Sequence, residues 1–178
     1  SITTLIELES GTQPLHYFAG PLEASLLLSS SGGYGFVARV EHMLSRNRSG
    51  KAFITMGEGE QVCRPSLVEG GGAGELPPAT HLACISADGR ILCFGLEEVR
   101  TMDKGGRGLM LMKLDKGETL IGAAAYSRSV RIQGRGRGGR EREETLEIRS
   151  LNNALAARAR KGKAASFTFK PTDVERVE

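Results

Sequence analysis

Arginine and lysine recur beside glycine at one spacing: Arg48-Ser-Gly-Lys-Ala52, Lys104-Gly-Gly-Arg-Gly108 and Arg160-Lys-Gly-Lys-Ala164 follow one another at intervals of 56 residues. Glycine lets backbone approach an anion closely, and the flanking cations supply charge and hydrogen-bond donors, so the chemistry these turns offer is phosphate contact. The plainer reading is that glycine reverses the chain and the charges keep the surface solvated. Three copies at one address favour the first reading, because a phosphate backbone is itself a repeating ligand. The candidate contacts are Arg46, Arg48 and Lys51 in the first turn, Lys104 and Arg107 in the second, and Arg158, Arg160, Lys161 and Lys163 in the third.

Arg135, Arg137 and Arg140 join them from the stretch Gly134-Arg-Gly-Arg-Gly-Gly-Arg-Glu-Arg142. Its glycines have the spacing of a dinucleotide-binding loop, but that loop opens a helix within a βαβ unit, and four arginines would crowd it. The stretch therefore reads as a flexible basic loop. No catalytic constellation is discernible: His16, His42 and His81 are scattered, and no serine stands in a nucleophile elbow. Cys63, Cys84 and Cys93 lack the paired spacing of a zinc site, so neither metal nor cofactor is expected. Residues 1–103 carry 7 Lys/Arg against 12 Asp/Glu, whereas residues 104–178 carry 17 against 9. A basic half points to a polyanionic partner, and aromatic residues at 5% argue for backbone contact over base stacking. No apolar run is long enough to span a membrane, and the chain reads as soluble and intracellular.

The elements that must position these turns also repeat. Ser31-Gly-Gly-Tyr-Gly-Phe-Val-Ala-Arg-Val40 returns as Ala87-Asp-Gly-Arg-Ile-Leu-Cys-Phe-Gly-Leu96. Gly32-Gly33 and Asp88-Gly89 read as two-residue hairpin turns between apolar strands. In that register residues summing to 177 face each other, which sets Cys84 opposite Cys93. Phe36, Ala38 and Val40, then Leu92, Phe94 and Leu96, share the core-facing side of their strands. Polar turns at Glu9-Ser-Gly-Thr-Gln13, Gly57-Glu-Gly-Glu-Gln61 and Asp115-Lys-Gly-Glu-Thr119 follow strand-like runs in residues 2–6, 53–56 and 109–114. Tyr17, Tyr34 and Tyr126 fall on strands or hairpin ends. Four strands in about 50 residues make a propeller-like blade. The expectation is a single all-β repeat domain of about three four-stranded blades, in units 1–56, 57–112 and 113–170 with a tail at 171–178, as a fragment of a longer array. The glycine-rich run at residues 70–74 reads as an inserted surface loop.

Residues 33–56, GYGFVARVEHMLSRNRSGKAFITM, together with ADGRILCFGLEEV, the KGGRG turn and the closing RARKGKA, resemble the C-terminal DNA-binding domain found in the A subunit of bacterial DNA topoisomerase IV, a relative of the corresponding gyrase domain. The likeness covers nearly the whole chain. It implies a β-pinwheel, propeller-like with strands exchanged between blades and often an open ring. It also implies a non-catalytic domain of an ATP-dependent type II topoisomerase that bends double-stranded DNA on its basic rim to steer relaxation and decatenation. Other domains and the B subunit would be its partners, ATP and magnesium would act elsewhere, and the setting would be the cytoplasm, on the chromosome. The glutamine-arginine-arginine-glycine box of gyrase is not kept, which argues against gyrase-like wrapping. The rival reading from the residues is a propeller-like protein-interaction module whose acidic half docks a partner.

Overall fold

The computed structural model describes residues 10–70 and 76–178; the strand-like run at residues 2–6, the first residue of the turn at Glu9 and most of the glycine-rich run lie outside them. The first two hairpins form where expected, and a third stands where a basic loop was expected. Strands β1 (Ser25–Ser29) and β2 (Tyr34–Arg39) make the first, β4 (His81–Ser86) and β5 (Arg90–Gly95) the second, and β8 (Ser129–Arg135) and β9 (Glu141–Glu147) the third. Between and after them lie β3 (Ser66–Glu69), β6 (Leu109–Met110), β7 (Leu120–Tyr126), β10 (Lys163–Ala164) and β11 (Lys170–Arg176). Among the described residues helix is confined to single turns, of which the α-helical ones are α1 (Val40–Met43) and α2 (Ile148–Asn152).

The hydrogen-bonded order is β3-β1-β2-β6 in the first sheet, β10-β5-β4-β7 in the second and β11-β8-β9 in the third. Each sheet thus takes its hairpin from one stretch of chain and its flanking strands from later stretches, and the strand that leads into one hairpin belongs to the sheet before it. Neighbouring sheets are locked by exchange as well as by packing. Strands β3, β7 and β11 also pack on one another, so they line a common axis and β6, β10 and β9 face outward. Ala123, Ala124 and Ala125 of β7, all buried, keep this crowded centre thin.

The hairpin register departs by one residue from the expected one. Ala83 faces Cys93 and Cys84 faces Leu92, because the loop has three residues and not two. Gly89 sits at φ +77° with its N–H donating to the Ser86 carbonyl at 3.0 Å, and Gly33 repeats this at φ +85° on Ser30. Glycine is needed there as the left-handed third residue of the loop, after an ordinary turn. One residue of slip moves a side chain to the other face of its sheet. Cys84 therefore joins the core between the first two sheets with Leu82, Leu92 and Phe94, while Cys93 joins the core between the second and third with Ile85, Ile91 and Ile132. No disulfide bridges them; all three thiols are buried and free, and burial pushes Cys63 and Cys93 each up to about 11.

Both faces of β2 and β5 are covered, as in a strand sandwiched between blades. The face of β2 with Phe36 and Ala38 packs with Leu26 and Leu28 under Val40, Phe53 and Met102. Two further expectations are corrected. The arginine-rich stretch is not a long loop, since β8 and β9 run into it and leave a hairpin tip at residues 136–140, closed by the Gly136 N–H on the Arg140 carbonyl at 2.8 Å. Tyr17 is 66% exposed and outside any strand, whereas Tyr126 is buried.

Candidate nucleic-acid interface

Each basic turn of the second and third copies leads directly into the outermost strand of a sheet. The second precedes β6, whose Leu109 and Met110 pair with Gly35 and Tyr34; the third precedes β10, whose Lys163 and Ala164 pair with Ile91 and Arg90. The turns therefore stand on the outer edge of consecutive sheets. Close packing explains their glycines. Gly162 has φ +73°, and a Cβ there would lie 2.5 Å from the Ile91 carbonyl oxygen. Gly162→Ala is expected to cost about 1–3 kcal/mol, the strain of a disfavoured backbone conformation plus the clash, read as a lowered midpoint in urea unfolding.

The first turn is built differently. Residues 53–55 bond Gly106 of the second turn, through the Gly106 N–H on the Phe53 carbonyl and the Thr55 N–H on the Gly106 carbonyl, both at 2.9 Å. The first two basic turns are thereby laid side by side. Arg46 and Arg48 are exposed; Lys51 donates to the His42 carbonyl at 2.5 Å and lies 5.3 Å from the Phe53 ring centroid. His42, on α1, faces Asp103 at 3.2 Å.

In the second turn Lys104 is exposed, while Arg107 is anchored twice. Its guanidinium lies 4.3 Å over the Tyr34 ring and its Nη2 lies 2.7 Å from Glu60 Oε1. Glu60 also accepts from the Ser30 hydroxyl at 3.0 Å and the Gly57 N–H at 2.8 Å. Burial opposes its ionisation, yet those two donors and Arg107 together hold the carboxyl below its ordinary range.

In the third turn Arg158 points inward. Its Nη1 donates to the Met110 carbonyl at 2.6 Å, and its backbone N–H donates to Glu98 at 2.9 Å. Lys163 donates to the Asn153 carbonyl at 2.7 Å. Arg160 and Lys161 face solvent, and Lys161 pairs with Asp115. Arg90 Nη1 lies 3.7 Å from the other oxygen of the same carboxylate, and the Lys113 N–H donates to the Arg160 carbonyl at 3.1 Å. The Lys161 hydrogen bond is the main cause holding Asp115 below the ordinary aspartate range, with Arg90 and Lys113 adding to it. Arg90 and Lys113 are absent from the residues selected by spacing. One signal pointed to Arg90: it stands at the repeat position of Tyr34, 56 residues on. Arg137 and Arg140 stand on the third hairpin tip and Arg135 at the end of β8, beside Glu141 and Glu143 in a polar hollow of about 400 Å³.

Comparison with known proteins identifies the architecture. The family described as DNA gyrase C-terminal domain, beta-propeller, matches residues 24–63 and 80–127, which hold the first two hairpins. The DNA topoisomerase 4 A subunit of Neisseria gonorrhoeae is 32% identical over 163 residues, 91% of this chain. The chain belongs to the family of C-terminal domains of the gyrase and topoisomerase IV A subunits. The same protein of Escherichia coli K12 is 29% identical over 68% of the chain. This domain spans 20% of the length of the first relative and 15% of the second. The solved structure of the E. coli ParC C-terminal domain superposes with a TM-score of 0.78 at 25% identity, over 98% of this chain and 69% of that one. A solved DNA gyrase A C-terminal domain, at 16% identity and a TM-score of 0.67, shares the fold over 96% of this chain and 55% of that one. The exchanged, propeller-like sheets described above are the fold of this family. Among the described residues no helix is long and apolar enough to cross a membrane, and no group of three or more His, Cys, Asp or Glu is arranged to hold a metal.

Proposed function

We propose that this chain is a non-catalytic, duplex-DNA-binding domain of a type II topoisomerase, which contacts phosphates along its outer edge and bends the duplex to steer substrate topology. The observation that carries this reading is the delivery of one basic glycine turn to the outer strand of each of two consecutive sheets. Cations repeated along an outer edge match a repeating phosphate backbone, and contacts to phosphate carry no sequence information. Bending a site of 20–30 bp by 40–90° costs on the order of 1–6 kcal/mol, so several contacts must act together. Arg46, Arg48, Lys104, Arg160 and Lys161 present exposed charge for this role; Lys51, Arg107, Arg158 and Lys163 mainly fix the turns that carry it. Cutting and ATP-driven steps belong to other parts of the enzyme, with which this domain would associate on the bacterial chromosome.

Titration of unrelated duplexes with the chain at several salt concentrations tests the reading. Affinity is expected to be nearly independent of sequence and to fall log-linearly with salt, with a slope of about 0.9 for each phosphate neutralised. Absence of binding at low salt, with retention of a protein partner, would favour the interaction-module alternative.

A further inference from the structure

A hairpin-tip residue, a basic-turn cation and a polar-turn carboxylate meet at two places, and the two junctions differ in charge balance. In the first, Arg107 is held between Tyr34 and Glu60, and the Glu60 side chain is 14% exposed with donors on both oxygens. One cation meets one anion, and the junction is closed. In the second, Arg90 takes the place of Tyr34, Lys161 supplies the basic-turn cation and Asp115 supplies the carboxylate. Lys113 adds to the field at Asp115, and its backbone is bonded to Arg160. Three cations, Arg90, Lys113 and Lys161, act on Asp115, and Glu118, which accepts from the Asp115 N–H at 3.1 Å, is the second carboxylate of this turn, so the junction keeps an excess of one positive charge. Asp115 is 52% exposed, Lys161 46% and Arg90 29%.

We propose that this second junction is the principal phosphate site of the outer edge, and that Asp115 is its internal competitor, holding Lys161 and Arg90 until a backbone phosphate takes the place of its carboxylate. The proposal rests on the DNA-binding reading above and adds to it a site and its regulation. A phosphate group carries acceptor oxygens where the carboxylate does, so the same ammonium and guanidinium donors serve both. Exposed ion pairs contribute little, so Asp115 is readily displaced. While it stays, it cancels one charge that duplex would otherwise feel. The closed first junction offers no such exchange, because Glu60 is tied to backbone and hydroxyl donors besides Arg107.

The test compares duplex binding by the wild-type chain and by Asp115→Asn across a salt series, with Asp115→Ser as a second variant and thermal melting to confirm folding. Asp115→Asn is expected to bind about three- to tenfold more tightly at 0.1 M salt, with a salt slope steeper by about one contact. Adding Lys161→Ala is expected to erase that gain. Equal or weaker binding by both Asp115 variants, or a gain that survives Lys161→Ala, overturns the proposal and leaves the DNA-binding reading in place. Failure of the wild-type chain to bind duplex at low salt overturns both.

Discussion

Glu178→Gln is expected to lower the unfolding free energy by about 3–5 kcal/mol at pH 7, the usual consequence of removing one partner from a buried ion pair. The Glu178 side chain is 2% exposed and that of its partner Arg176 4%. The carboxylate collects the backbone N–H groups of Ser127 and Arg128, that of Ser129 at 3.2 Å, the Ser127 hydroxyl at 2.7 Å, and Arg176 Nη2 at 2.6 Å. Arg176 also donates to the carbonyls of Leu67 at 3.3 Å, Val68 at 3.4 Å and Pro77. One ion pair therefore ties β11 both to the β7–β8 crossover and to β3, across all three sheets. Arg176→Met is expected to be similarly damaging, and the double variant to be less destabilised than the sum of the singles, since neither charge is then left buried alone.

The same contact sets an acid limit. Burial acts to raise the Glu178 carboxyl, but the Arg128 N–H, the Ser127 hydroxyl and Arg176 outweigh it and hold the group at about 2, against an ordinary value of 4.5. A carboxyl whose folded value is depressed stabilises the fold fully above its unfolded value, and that contribution fades as pH falls from about 4.5 towards 2. Urea unfolding of wild type and variant from pH 7 down to pH 3 reads this directly: the gap between them should narrow on acidification. A gap below about 1 kcal/mol at pH 7 would remove the ion pair as a clamp.

Reversal of the third basic turn, Arg160→Glu with Lys161→Glu, is expected to weaken duplex binding by roughly tenfold or more at 0.1 M salt and to flatten the salt slope by about two contacts. Both residues are exposed; Lys161 shares the Asp115 carboxylate with Arg90, and the Arg160 carbonyl accepts from the Lys113 N–H, so each reversal removes an attraction and places a negative charge on this basic edge. Stability should change little, because neither side chain is buried and exposed pairs such as Lys161 with Asp115 are weak. The same reversal at Arg158 would not be informative, since that side chain braces Met110 and its loss would disturb the turn itself. Unchanged affinity in the Arg160, Lys161 variant, with circular dichroism intact, would move the contact surface away from this edge.

Both named hairpins, the core face of each outgoing strand and the 56-residue address of the basic turns were legible in residue order, because alternation and turn glycines are local signals. The register was not. Asp88-Gly89 reads equally as a two-residue turn or as the end of a three-residue one, and the choice, which sent Cys84 and Cys93 to different cores, rests on which loop position carries the left-handed glycine. Strand exchange was implied by the family resemblance alone and not by the residue pattern: β6 and β10 are two residues each, too short for any periodic pattern, and their partners are decided by what the packed sheets leave unpaired.

The sequence by itself determined that the chain is a β repeat with cations at a repeated address, since composition and spacing carry both facts. Only the tertiary structure decided which cations remain available. It turned Arg158 inward, closed Arg107 onto Glu60, and gathered Arg90, Lys113 and Lys161 around Asp115. The physical reason is that charge acts through space, and residues tens of positions apart in the chain become neighbours only when sheets exchange strands.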